Sequence, residues 1–358
     1  MSNPDARQTD WGAAESWGHS GEIDSARSRW SSTQTWRAWG RLLRMRLRWW
    51  TNGHVVAMAL ACLVFVGSLW VIGRELQGFE YAEVWGYLRD LPLSYVVTAL
   101  GLTALTFVVL TGYDALALRY VDGHLSTRRV IFSAFIGYAV SQAIGNPILT
   151  GGSVRYRLYS SWGLSPAQVA KAILFAGVSF WLGFFTLGGV VLLVVPLELA
   201  AAFNLPFSPA ILGILCLVPV GGYATMTVLR TDAFIFWGWS FDIPPQWMLP
   251  VQVGLAAGDL TLASSVVYVL LPPEIGLSLP YLVVVYLIAL IAGLVSHVPG
   301  GLGVFEGIML LLLTPEVPAP IVLGTLLAYR GIFHLLPLLL AVLAFGAYEL
   351  RRGVREMT

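Results

Sequence analysis

The residues of this chain that could do chemistry are ionisable groups set inside long apolar runs. They are Asp114, Lys171, Asp259, Glu306 and Arg330, with His297 and His334 beside them. A charged side chain costs about 2.5–3.5 kcal/mol to place at the centre of a membrane helix, so such groups are usually retained for a function. Glu306 stands out by its setting. It closes the run Ser-His-Val-Pro-Gly-Gly-Leu-Gly-Val-Phe-Glu, which begins at Ser296 and lies between two apolar stretches. Pro299, Gly300, Gly301 and Gly303 break the helix there. Lipid offers no partners for the freed backbone groups, so a break at this depth must be buried in protein or line a wet cavity. Broken helices of this kind form the sites of many transporters.

Glu306 is expected to pair with Arg330, either as a structural ion pair or around one shared ligand. Arg330 and His334 are four residues apart and share a helix face, and Pro337 is expected to interrupt that helix. A second constellation is Asn146-Pro-Ile-Leu-Thr-Gly-Gly-Ser-Val-Arg-Tyr-Arg, ending at Arg157. Here Asn146, Thr150, Gly151 and Gly152 suggest a flexible turn with free amides, and Arg155 and Arg157 add two guanidiniums. Amides at helix starts hold anions, and arginine binds phosphate through two parallel hydrogen bonds. The alternative is that Arg155 and Arg157 are cytoplasmic anchor charges. Lys171 is placed to snorkel to the interface, and Asp114 to pair with Arg119. Asp114 and Asp259 are the groups suited to ion coupling.

These residues must be positioned by membrane helices. Hydrophobic types make up 57% of the 358 residues and charged types 11%, which excludes an ordinary soluble domain. The net charge of +1 gives no lead to a partner, and neither a nucleic-acid partner nor a cofactor is expected. Cys62 and Cys216 lie in apolar runs and read as packed thiols. P-loop, zinc-ligand, Gly-x-Ser-x-Gly and Rossmann spacings are all missing, so no enzyme machinery is visible.

Residues 1–35 read as a disordered cytoplasmic tail, in which Trp11, Trp17, Trp30 and Trp36 could touch the interface. Residues 36–50, with Arg37, Arg41, Arg44, Arg46 and Arg48, read as a basic amphipathic segment on anionic lipid or as plain positive-inside charges. From 51 to 352 the apolar runs are 54–73, 92–118, 130–147, 167–195, 209–229, 249–271, 280–297, 304–314 and 319–349. A spanning helix needs about 20 residues. Loop charges give both termini to the cytoplasm and make 130–147 and 280–314 hairpins that enter from opposite faces. The fold expected is an all-α polytopic membrane protein. It is an inverted repeat, about 52–200 and 205–352, each half with three spanning helices and one re-entrant hairpin.

The Pro299–Glu306 run, the Asn146–Arg155 run, and Tyr329-Arg330 followed by Pro337 resemble the transmembrane domain of the lysylphosphatidylglycerol synthase/flippase proteins, the multiple peptide resistance factor group and its stand-alone relatives. The likeness covers about 52–350. In two-part members this domain is thought to move aminoacylated phosphatidylglycerol between leaflets, while a separate soluble domain makes that lipid. The chain stops at Thr358 without that soluble part, so synthase activity is not expected. The resemblance implies a phospholipid flippase of the bacterial cytoplasmic membrane, with self-association left open. The headgroup would meet Asn146, Thr150, Gly151, Gly152, Arg155, Arg157, His297, Pro299, Gly300, Gly301, Gly303, Glu306, Arg330 and His334. The competing readings are an ion-coupled transporter of a small polar solute and a scaffold that presents lipid to an enzyme.

Overall fold

The computed structural model describes residues 81–145, 147, 150–194, 208–229, 234–236, 239–314 and 317–357, without the side chains of 81, 234–236, 239–241 and 352–357. The tail, the Arg41–Arg48 segment, the run 54–73, Cys62, Arg230 and Asn146 lie outside these residues.

The described chain is built from helices α1 (Tyr81–Asp90), α2 (Leu93–Tyr120), α3 (Thr127–Ile144), α4 (Thr150–Ser161), α5 (Pro166–Val194), α6 (Pro209–Leu229), α7 (Met248–Leu270), α8 (Leu279–Ser296), α9 (Val304–Leu313), α10 (Ala319–Tyr329) and α11 (Leu336–Met357). A short antiparallel pair, Phe234–Phe236 with Trp239–Phe241, sits between α6 and α7 and leaves the all-α class unchanged. Six helical stretches are long and apolar enough to cross a membrane: α2, α5, α6, α7, α8, and the continuous stretch from Ala319 to Arg351. The chain is a multi-pass membrane protein.

Helix association in lipid rests on close packing, since lipid tails are as apolar as leucine. Small residues provide it here. A methyl on Gly189 would lie 2.9 Å from the Gly213 carbonyl, and one on Gly213 would lie 2.9 Å from the Gly189 carbonyl. The α5 and α6 backbones therefore touch at this crossing. Gly183 brings α5 just as close to Ala256 of α7. By contrast, Ile211, Ile214, Leu215 and Val218 of α6 are exposed and form a face suited to lipid. The helix α8, apolar on every side, is buried for most of its length among α7, α9 and α10.

Two helix pairs interrupt the long spans. α3 and α4 pack against each other across the break at 145–149, and α8 and α9 do so across 297–303. Their tips meet. A methyl on Gly145 would lie 2.8 Å from the Gly300 amide, and one on Gly300 would lie 2.6 Å from the Ala143 carbonyl. Both glycines hold positive φ, +83° and +62°, which a side chain would strain.

The open ends of the pairs lie apart. Near the base of α3/α4, Arg157 bonds Glu349 at 3.0 Å, Gln168 donates to the Val121 carbonyl, and Tyr120 donates to the Asp242 carbonyl. Near the base of α8/α9, Tyr87 and Thr325 bond the Leu270 carbonyl, and Tyr281 bonds the Leu312 carbonyl.

Three expectations are corrected. The loop 74–91 contains α1, whose Tyr87 ring lies on Gly324 and whose hydroxyl ties α1 to the end of α7. The segment from Thr150 to Arg157 is helical rather than a flexible turn, and the Gly152 amide in its first turn donates to the Pro147 carbonyl at 3.0 Å rather than standing free. Pro337 does not end the last span. The turn before it widens to a π-helix, Arg330–Leu335, which accommodates the missing N–H and the ring.

Candidate functional site

The site is built where the two tips meet. On the α8/α9 side, Pro299–Gly301 form a single tight turn, and Gly303 caps α9. Glu306, at the third position of α9, reaches back to accept the Gly303 amide at 2.8 Å. This is the carboxylate half of a capping box, and it places a negative charge at the positive end of the helix. The other oxygen of Glu306 accepts from Arg330 Nε at 2.6 Å, and Arg330 Nη1 donates to the Gly300 carbonyl at 2.8 Å. The expected Glu306–Arg330 pair is therefore present, with both side chains mostly buried. Its guanidinium also lies 5.6 Å from the Phe305 ring centre, so one cation ties the turn, α9 and the last span together. Arg330 opens the π-helical turn, and such turns occur often at functional sites.

On the α3/α4 side, the buried charge is Arg155 of α4. Its Nε donates to both oxygens of Asp114 in α2, each at 3.0 Å. Tyr159 donates to the same carboxylate at 2.7 Å, and the guanidinium lies over the Tyr138 ring at 4.1 Å. Asp114 and Arg155 are 2% and 6% exposed, so this pair is shielded from water. Gly137 and Gly151 make room for it: a methyl on either would lie 3.0 Å from Arg155 Nη1.

The expected Asp114–Arg119 pair does not form. Five residues along an α-helix turn through about 140°, which puts Arg119 on another face of α2. Arg155 and Arg157, two apart on α4, also diverge. Arg157 is exposed and paired with Glu349, far from the tips. Gly151 lets α4 pack on Ser141 and Gly137 of α3, Gly152 faces Ile173 of α5, and Thr150 donates to the Gly145 carbonyl at 2.8 Å, closing the first break. His297 caps α8 in a left-handed conformation, with its ring against the Val295 carbonyl. His334 lies edge-on to Tyr329 and Phe333 within the π turn. Lys171, in the second turn of α5, pairs with Asp242 at 3.3 Å.

Several polar groups around the tips lack partners among the described residues: Arg155 Nη2, Gln142 Oε1, Tyr113 Oη and His334 Nδ1. Buried donors and acceptors are nearly always satisfied, so a group of orphans marks a place where a water or ligand fits. Asp259 of α7 is buried and makes no hydrogen bond or ion pair among the described residues. Sequence reasoning missed the tyrosines. Tyr159 had a signal, being one turn beyond Arg155 on the same face of α4. Tyr138 and Tyr286 had none, because an aromatic residue in a membrane run reads as packing, while Tyr329 was noted only for its place beside Arg330. The buried chain Tyr223–Gln252–Ser179 was also missed, although a glutamine inside a span is itself a signal.

The chain matches the family model described as "Lysylphosphatidylglycerol synthase TM region" over residues 56–341. It is 39% identical over 303 residues to the uncharacterised protein slr0712 of Synechocystis sp., covering 84% of this chain and 94% of that one. It is 27% identical over 295 residues to the inner membrane protein YbhN of Escherichia coli, covering 81% and 91%. Against the phosphatidylglycerol lysyltransferase of Staphylococcus aureus it is 24% identical over 296 residues, covering 81% of this chain and 34% of that enzyme. These matches span nearly all the membrane part described above, and the chain belongs to the family of the lysylphosphatidylglycerol synthase transmembrane region.

Proposed function

We propose that this chain is a lipid translocase that passes a phosphatidylglycerol-type or aminoacylated phospholipid headgroup between leaflets. The observation that carries the reading is the meeting of the two helix breaks, Gly145 against Gly300, inside a bundle of membrane helices and beside unpartnered polar atoms. A headgroup needs such a polar interior while its acyl chains stay in lipid. Two opposed helix pairs supply a route from each side, as in transporters built from inverted repeats. The relatives' names bear on the cargo. The staphylococcal enzymes that share this region are named for lysyl transfer to phosphatidylglycerol, and the part shared with this chain is about a third of their length. A role in handling lipid, rather than in making it, is the natural reading for the shared part.

The headgroup phosphate would meet Arg155 Nη2 and the Arg330–Gly300 turn, with His297 and His334 at the margins. Pro299 and Gly301 belong to the second of these breaks. The second half of the chain repeats the first with reversed direction, and the α3/α4 pair opens to the cytoplasm. Because the related YbhN is named an inner membrane protein, the cytoplasmic membrane of a bacterium is the assigned location.

The test is reconstitution into vesicles with fluorescent phosphatidylglycerol and an aminoacylated analogue, followed by quenching from outside. Protein-containing vesicles should expose inner-leaflet probe faster than empty ones, and Arg155→Ala should slow this while the protein still purifies as a monodisperse species. Quenching no faster than in empty vesicles, for either lipid, would remove the translocase reading. Full activity in Arg155→Ala would remove the phosphate from Arg155 alone.

A further inference from the structure

Asp259 has no role in the site just described, yet its place is unusual. It is the middle residue of α7, Met248–Leu270, about 16 Å of helix from either end. It is 8% exposed. The four ionised groups of the two ion pairs inside the bundle are committed to each other: Asp114 with Arg155, and Glu306 with Arg330. Four tyrosines lie within electrostatic reach of Asp259: Tyr113 of α2, Tyr138 of α3, Tyr286 of α8 and Tyr329 of α10. None of them bonds it. Tyr286 and Tyr329 bond each other at 3.0 Å, and the Tyr113 hydroxyl has no partner among the described residues. The remaining neighbour, α5, brings no titratable group to its central stretch, since Lys171 is held at the helix end by Asp242.

A carboxyl group at the centre of a membrane helix, with neither cation nor donor, makes its protonation state and the surrounding conformation interdependent. Burial without a partner disfavours its charged form, and any second arrangement that wets it changes the balance. Asp114, its counterpart in α2, lacks this property because Arg155 and Tyr159 hold its charge in place. We propose that Asp259 is a proton carrier that couples headgroup movement to the transmembrane proton gradient, an inference that rests on the translocase reading. The step is a simple one. An O–H bond forms on a carboxylate oxygen with a proton from one aqueous side, and that bond breaks with release of the proton to the other side. One charge moves per cycle and no other bond changes.

The experiment uses the whole chain in vesicles with fluorescent phosphatidylglycerol, a one-unit pH difference and the membrane potential clamped. For one proton per lipid, the gradient drives a leaflet ratio of at most about tenfold. Wild type should concentrate the probe in one leaflet, reverse when the gradient is reversed, and move protons detected by an internal pH dye. Asp259→Asn should lose the concentrating effect, and Asp259→Glu should keep part of it. Accumulation by Asp259→Asn equal to wild type would overturn the proposal. So would wild-type flipping that ignores the pH gradient or follows only a sodium gradient, and either result leaves translocation standing. Absence of any flipping by wild type would instead sink the translocase reading and the coupling with it. Should the Asn variant fail to fold, the wild-type gradient response and the dye signal decide alone.

Discussion

At the scale of single residues, two buried ion pairs carry most of what can be tested directly. Arg155 and Asp114 are shielded from water, and removing one member strands the other. Breaking such a pair costs about 3–5 kcal/mol. Asp114→Asn should therefore lower the thermal midpoint of the detergent-purified protein sharply. Tyr159→Phe, which removes one hydrogen bond to the same carboxylate, should cost about 1.5–3 kcal/mol. Glu306 and Arg330 should show the coupling of a true pair: the double change to Gln should destabilise less than Arg330→Gln alone, because it leaves no unpaired charge. Strict additivity in the thermal midpoints would contradict the contact. This second pair was legible in the sequence, since two opposite charges placed in hydrocarbon must find partners. The first pair was not. Asp114 had a nearby cation in Arg119, and only the packing of α4 on α2 brings Arg155, 41 residues on, to the correct face.

At the scale of elements, the tips are the sensitive points. Gly145→Ala must both hold a positive φ and push against the Gly300 amide 2.8 Å away. With φ +83° and ψ −177°, Gly145 sits in a backbone region that is essentially glycine's alone, and holding it costs about 1–3 kcal/mol for a residue with a Cβ. Gly177→Ala, inside α5 with open space around it, should be neutral or slightly stabilising, as alanine favours helix by about 1 kcal/mol over glycine. A midpoint comparison of the two variants separates tip geometry from glycine replacement in general, and equal shifts would argue that the tips do not bear on each other.

The described spans were read from hydropathy to within a few residues, because length and apolarity are what a bilayer demands. Two shorter helices escaped. Charges at Glu83, Arg89 and Asp90 made α1 look like a loop. The weak helix formers Thr150, Gly151, Gly152 and Ser153 hid α4, where tight packing of small residues on α3 outweighs propensity.

At the scale of the molecule, charge is sorted between the two ends of the bundle. Arg119 at the end of α2, Arg128 and Arg129 at the start of α3, Arg157 near the end of α4, Lys171 near the start of α5 and Arg351 on the last helix share one end. At the other end, Arg89 is the sole described cation, against Glu83, Asp90 and Glu274. By the positive-inside rule the cation-rich end is the one expected in the cytoplasm. It is also the end to which the α3/α4 pair opens, while the α8/α9 pair opens to the other. Both pairs reach the same meeting point at Gly145 and Gly300, so on the translocase reading a headgroup leaving the bundle on either side would pass one break or the other. Orientation is thus tied to mechanism, and it can be tested without any transport assay. With Cys62 and Cys216 replaced, single cysteines at Ser161 and at Glu274, both exposed, mark the two ends. In intact cells a membrane-impermeant thiol reagent should label the Glu274 position, and should reach the Ser161 position only after the membrane is opened. Labelling of both from outside would place the two ends on one face and dismantle the opposed helix pairs on which the two-sided route depends.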